Sequence, residues 1–173
     1  MKNITPWFTR PFGPVEDVGL LPALVERLAG APIRLQYKVQ HSPVAAFRQP
    51  APGGAWTAQE HVGHLLDLEP LWYGRMQQIA KGEADLMPAD LTNRRTHEAN
   101  HNTANLQALA DGFAHDRQQL VTYLNSLTAA QLQNHALHPR LKTPMRVMDL
   151  CFFVAEHDDH HLAHISQLIT SLN

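Results

Sequence analysis

Residues 143–172 read as one long helix, and its length sets the scale for whatever the chain folds into. In "TPMRVMDLCFFVAEHDDHHLAHISQLITSLN", Thr143 stands at the N-cap and Pro144 at the first helical position. A proline there forfeits no hydrogen bond. At about 1.5 Å per residue the helix spans roughly 40 Å, and partner helices have to cover its apolar face.

Three further stretches carry helical periodicity. In "VGLLPALVERLAGAP", Leu20, Leu21, Leu24, Val25 and Leu28 form an apolar stripe that Gly30 and Pro32 are expected to end. In "WTAQE", Thr57 and Glu60 make a capping box, which predicts a helix from about Ala58 to Ala80 with Gly82 as its stop. Pro70 lies inside it and predicts a bend. A third helix is expected from about Thr96 to Leu124, with Leu106, Leu109, Phe113, Leu120 and Leu124 at helical spacing. "LTAAQLQ" adds a short turn capped by Thr128 and Gln131.

The segments between them read as loops: "SPVAAFRQPAPGGA", "ADLMPADLTNRR" and "NHALHPRLKTP". Eight of the twelve prolines precede residue 53, so the first third is punctuated. Nothing alternates with period two for long enough to suggest a sheet. The expected fold is all-α, a four-helix bundle with a Pro-rich N-terminal segment, residues 1–173 forming one domain. The long connections leave the spatial order of the helices open.

Composition narrows the class. The chain of 173 residues is 44% hydrophobic and 17% charged, which suits a soluble globular protein. A net charge of -2 with scattered Lys and Arg argues against a nucleic-acid partner. No apolar run approaches the roughly 18 residues of a membrane span, and "MKNITPWFTRPFG" lacks the apolar segment of a signal peptide. Cys151 is the only cysteine and lies in the apolar "DLCFFVA", so it reads as a buried, inert thiol in a cytoplasmic protein. There is no Gly-rich phosphate loop and no Ser-His-Asp arrangement.

The anomaly is twelve histidines, four of them in "AEHDDHHLAHIS". His157, His160, His161 and His164 share one helical face, near the inward positions Val154, Leu162, Ile165 and Leu168. Both 157/161 and 160/164 are i, i+4 pairs able to present two nitrogens to one ion, and helical geometry alone does not choose between them. Asp158 and Asp159 rotate away and are expected in solvent. A third ligand can come from His61 or His64 in "EHVGHLLDLE", His64 being the inward one by its spacing to Leu68 and Leu71. Three neutral imidazoles leave coordination positions open, as at catalytic rather than structural sites. Burying so many imidazoles with neither metal nor carboxylate is costly.

Other residues carry weaker signals. "HEANH", His97 to His101, matches the H-E-x-x-H metalloprotease pattern, with Glu98 as the nominal base. It is polar on every side and follows a loop, so a helix entry near the bundle mouth is the better reading. Glu60 and Glu69 are candidate acids behind the imidazoles, Glu60 already having a capping role. Asp67 follows His64 by three and could accept a hydrogen bond from an imidazole. Trp56, Trp72 and Tyr73 read as packing residues.

"GGAWTAQEHVGHLLDLEPLW" together with "FVAEHDDHHLAHI" resembles the DinB/YfiT-like superfamily, and the resemblance runs from "LPALVERLAGAPIRL" to the end of the chain. The spacings W-x7-H and H-x-x-H-H-x-x-H-I carry it. The resemblance implies a four-helix bundle with a divalent ion bound by three histidines, which fall on His64, His157 and His161. His160 and His164 then stand beside the site, in supporting or proton-transfer roles, and many relatives carry glutamine where His164 stands. Members are frequently dimers. Some are thiol-dependent transferases or isomerases and others are labelled hydrolases.

The expected function is therefore that of a metal-dependent enzyme whose ion activates water or a low-molecular-weight thiol toward a small-molecule substrate. The expected metal is zinc or nickel, with iron, manganese and copper also compatible with imidazole. A homodimer is expected, with no nucleic-acid or membrane partner. The competing expectation is a non-catalytic module in which the ion is structural or sensory.

Overall fold

The Thr57 hydroxyl accepts the Glu60 N–H at 3.1 Å, and the Glu60 carboxylate accepts the Thr57 N–H at 2.7 Å. This capping box opens a helix that ends at Gly82, whose φ of 73° suits glycine. The computed structural model describes residues 3–170. Among them it holds α1 (Leu21–Gln40), α2 (Val44–Phe47), α3 (Ala58–Lys81), α4 (Arg94–Glu98), α5 (Leu106–Asn125), α6 (Ala129–Gln133) and α7 (Val147–Thr170). The four long helices α1, α3, α5 and α7 form a four-helix bundle.

Both α1 and α3 pack on α5 and on α7, so α1 and α3 stand on one diagonal of the bundle and α5 and α7 on the other. Side-chain pairs give the directions. Gln36 meets Asp111 and the Leu28 carbonyl meets Arg117, so α1 and α5 are antiparallel. Glu69 meets Arg117 and Tyr73 meets Tyr123, so α3 and α5 are parallel. His61 meets His161 and Trp72 meets His157, so α3 and α7 are antiparallel. Joining the parallel pair α3 and α5 takes a connection that returns along the bundle, which explains the long segment between them.

The core has two apolar clusters. One gathers Leu28, Trp72, Met76, Leu120 and Val154, the other Leu35, Leu65, Phe113, Leu162 and Ile165. At the level between them Arg117 bridges Glu69 and Asp158, all three at most 2% exposed.

Several sequence expectations are corrected. The first helix does not stop at Gly30 and Pro32 but runs on to Gln40. Pro32 has no N–H for the Leu28 carbonyl, and Arg117 Nη1 donates to that carbonyl instead at 3.2 Å. The third helix does not begin at Thr96: the chain leaves α4 at Ala99, Asn100 turns at φ 51°, and α5 starts afresh behind Asn105. The Asn105 side chain accepts the Ala108 N–H at 3.0 Å. The loop at 42–55 contains α2 and a short turn at Pro52–Gly54.

"NHALHPRLKTP" is a hairpin rather than a loop, β1 (His135–Leu137) pairing antiparallel with β2 (Pro144–Arg146). Thr143 is therefore no N-cap, and its carbonyl accepts the His138 N–H at 2.9 Å. The last helix starts at Val147, where the Asp149 carboxylate accepts the N–H of Arg146 at 2.9 Å and of Val15 at 2.8 Å. The expected end near Leu172 lies outside the described residues. Thr128 and Gln131 do form the second capping box. Among the described residues no helix is long and apolar enough to cross a membrane.

Candidate metal centre

The antiparallel pairing of α3 and α7 brings His64 opposite His157 and His161. His157 Nε2 lies 3.3 Å from His64 Nε2 and 3.2 Å from His161 Nε2, and all three rings are buried. Two donors at about 2.0–2.1 Å from a tetrahedral ion stand about 3.3–3.4 Å apart, so this spacing fits a single ion.

Neighbouring side chains hold the outer nitrogens of two of the three rings. Thr96 donates its hydroxyl proton to Asp67 Oδ2 at 2.9 Å. A hydroxyl has one proton, so the 3.0 Å contact between Thr96 Oγ1 and His64 Nδ1 is donated by the histidine. His64 Nε2 is then a bare lone pair. His161 Nδ1 is tied to His61 Nδ1 at 2.8 Å. His157 Nδ1 is buried with no hydrogen-bond partner among the described residues.

Burial keeps these rings neutral, which is the ligating form. It holds His157 and His161 well below the usual histidine pKa, with neighbouring imidazoles adding to the effect. It lowers His64 to about 4, although Asp67 pulls the other way. Burial would raise the Asp67 pKa, but hydrogen bonds from His101 and Thr96 hold it below the ordinary carboxylate value.

The other sequence candidates take varied places. Asp67 is buried and reaches His64 only through Thr96; it also meets His101 Nε2 at 2.8 Å and Arg95 at 3.1 Å. His61 lies against His161 and stacks on His164, the ring planes 10° apart and the centroids at 5.0 Å. His160 Nδ1 lies 3.2 Å from Arg10. Asp158, expected in solvent, is 1% exposed because Arg117 of the facing α5 needs its charge. Asp159 pairs at the surface with Arg27 and Arg34. Glu69 also belongs to Arg117 and stands behind no imidazole, while Glu60 serves as the cap.

"HEANH" forms no ligand pair. The turn at Asn100 breaks the helix, leaving His97 exposed and His101 buried on Asp67. Cys151 is buried, and burial pushes its thiol up to about 12, as befits an inert core residue.

Sequence reasoning missed Thr96 and His101 as supports and Arg75 and Arg140 as cavity residues. One local signal was available. An added Cβ on Gly63, in mid-helix, would stand 2.2 Å from the His101 ring, so glycine there makes room for the support.

The three imidazoles open onto a cavity of about 420 Å³. Trp7, Trp56, Trp72 and Phe153 form much of its wall. Trp72, read from sequence as packing, is both: it is buried, and its ring lies 5.3 Å from that of His157. Trp56 lies 4.7 Å from His64. A volume of this size takes a small molecule.

Residues 22–165 match the family model of the DinB superfamily. A protein of Bacillus pumilus (strain SAFR-032) named "Putative metal-dependent hydrolase" is 25% identical over 170 residues, 91% of each chain. The structure of YfiT from Bacillus subtilis, described as "a probable metal-dependent hydrolase with an unusual four-helix bundle topology", superposes with a TM-score of 0.80 at 21% identity over 95% of each chain. A mycothiol-dependent maleylpyruvate isomerase superposes with a TM-score of 0.67 at 14% identity, covering 92% of this chain and 62% of that one. The two superpositions concern the fold. With the family match extending over all four long helices, the chain belongs to the DinB superfamily.

Proposed function

We propose that this chain is a metal-dependent enzyme in which His64, His157 and His161 hold a divalent ion, zinc or nickel, at the floor of the cavity. The observation that carries the proposal is the convergence of three buried Nε2 atoms on one point beside that cavity. When bound, such an ion supplies Lewis acidity that lowers the pKa of water or of a small-molecule thiol toward neutrality.

The chain's own residues do the rest. Asp67 and Thr96 fix the His64 tautomer, and His61 holds His161. The tryptophan wall limits water around the reacting groups. His160 also lines the cavity; Arg10 donates to its Nδ1, so the neutral ring carries its proton on Nε2, where it can donate a hydrogen bond to a bound group. An ion that only stabilised the fold would have no need of an open face on a cavity, which favours catalysis over the structural or sensory reading. The homodimer implied by the family resemblance and the cytoplasmic location suggested by the single cysteine belong to the same proposal.

Metal analysis of the purified wild type and of His64→Ala tests the centre. About one equivalent in the wild type and little in the variant is expected, and equal stoichiometric metal in both would refute it. A panel of activated esters, and of cysteine with an aromatic electrophile, then separates hydrolysis from thiol transfer. No metal-dependent turnover on either arm would favour the non-catalytic reading.

A further inference from the structure

The cavity holds two arginines, Arg75 and Arg140, that no carboxylate among the described residues neutralises. Arg75 is 1% exposed and gives Nε and Nη2 to the Met87 carbonyl, at 3.0 and 2.9 Å. Its Nη1 lies 3.2 Å from His138 Nε2. Arg140 lies over the rings of Phe8 and Phe153, at 5.4 and 5.9 Å, and its Nη2 is buried with no hydrogen-bond partner. Among the described residues neither arginine forms an ion pair with a carboxylate. Asp90 lines the same cavity, but its carboxylate is committed to the Thr92 hydroxyl and to the N–H groups of Thr92 and Arg94.

His138, between the two arginines, sharpens the imbalance. Its Nδ1 faces the N–H groups of Arg140 and Leu141, each at 3.2 Å, while its Nε2 faces Arg75. A neutral imidazole has one bare nitrogen and cannot satisfy donors on both sides. This end of the cavity therefore has more donors than acceptors and two positive charges in an aromatic setting. Burial lowers Arg75 to about 10, with Arg140 adding to the effect, and burial lowers Arg140 too. A buried guanidinium nitrogen with an unused donor is costly until an anion meets it.

The distance to the three imidazoles is short. Trp7 and Trp72 each touch Phe153 on one side and His157 on the other. Phe153 and His157 are one helical turn apart on α7, roughly 6 Å. One small molecule can reach both ends.

We propose that the substrate of this site is a small organic anion, a carboxylate carrying an apolar or aromatic body, held by Arg140 with its reacting centre turned toward His64, His157 and His161. The substrate role rests on the metal-dependent reading above, whereas the anion site stands on Arg140 and Arg75 themselves. The aromatic body packs against Phe153 and the tryptophans, and Arg140 Nη2 supplies the missing hydrogen bond. Arg75, fixed by Met87, adds charge from behind.

The test uses 3-phenylpropionate and its neutral amide, 3-phenylpropionamide, titrated calorimetrically into the metal-loaded and the chelator-treated full chain. The carboxylate should bind about tenfold or more tightly than the amide, with or without metal. Arg140→Gln should abolish that preference and Arg140→Lys should keep part of it. Equal binding of the two probes by the wild type, or no carboxylate binding at millimolar concentration, overturns the proposal. So does a preference that survives Arg140→Gln while the protein remains folded by circular dichroism. A preference lost on chelation also overturns it, because the carboxylate would then be binding the metal. Persistence in the metal-free chain separates this result from any failure of the metal-dependent reading.

Discussion

His64 owes its orientation to Thr96. The threonine spends its only proton on Asp67 at 2.9 Å, so the proton in its 3.0 Å contact with His64 Nδ1 comes from the ring. The ring's Nε2 is thereby left bare and faces His157. A carboxylate acting through a hydroxyl thus sets the tautomer of an imidazole it never touches.

Thr96→Val keeps the shape and removes the acceptor. Its metal affinity, measured by competition with a chromogenic chelator, should fall about 10–100-fold, the usual effect of losing a group that orients a ligand. Thr96→Ser restores the hydroxyl and should recover most of it. Wild-type affinity in the valine variant would mean that the relay does not hold His64.

Gly63→Ala should destabilise the protein although alanine is the better helix former. The intrinsic gain is about 1 kcal/mol. The new Cβ would stand 2.2 Å from the buried His101 ring, forcing it off Asp67. Overpacking of this kind costs about 1–3 kcal/mol. Urea denaturation at neutral pH reads the sign directly.

Arg117 answers two buried carboxylates, Glu69 and Asp158. Arg117→Met strands both and should cost about 3–5 kcal/mol in the same assay. Glu69→Gln should cost only about 1 kcal/mol. Burial raises the Glu69 pKa against the pull of Arg117, and Arg117 keeps Asp158 as its partner when Glu69 is made neutral.

Acid should weaken the metal-free protein in a defined window. Burial lowers His61 to about 3, and His64, His138 and His160 to about 4. Unfolded histidines take up protons near pH 6.5. Between that pH and the folded values the unfolded chain binds more protons, so stability falls as pH falls. Each such group contributes at most about 1.4 kcal/mol per pH unit. The melting temperature followed by circular dichroism should be level above pH 7 and drop steeply from pH 6.5 toward 4. A level profile through that window would contradict neutral burial of these rings.

Some local signals hold in the fold, although Thr143 as an N-cap and a helix start at Thr96 do not. The capping boxes at Thr57 and Thr128 involve groups three residues apart, and the stripes of α3 and α5 need only helical geometry. Helix ends were misread where a distant group decides them. Pro32 looks like a stop until Arg117, on another helix, takes the Leu28 carbonyl. The hairpin at His135–Arg146 has strands of three residues, too short to show a period. Asp158 looks solvent-bound because it rotates away from the histidine stripe and nothing nearby in sequence pairs with it; Arg117 does so from α5.

The division is sharpest at the candidate site. The sequence by itself determined that four imidazoles share one face of the last helix, because helical rise and turn are properties of the backbone. It left two equivalent i, i+4 pairs, between which only a family resemblance chose. Tertiary structure decided that His157 and His161 face His64, while His160 lies near Arg10 and His164 stacks on His61. The reason is that convergence of side chains depends on how α3 and α7 pack, and that packing follows from apolar burial and the Arg117 ion pairs, which join residues far apart in the chain.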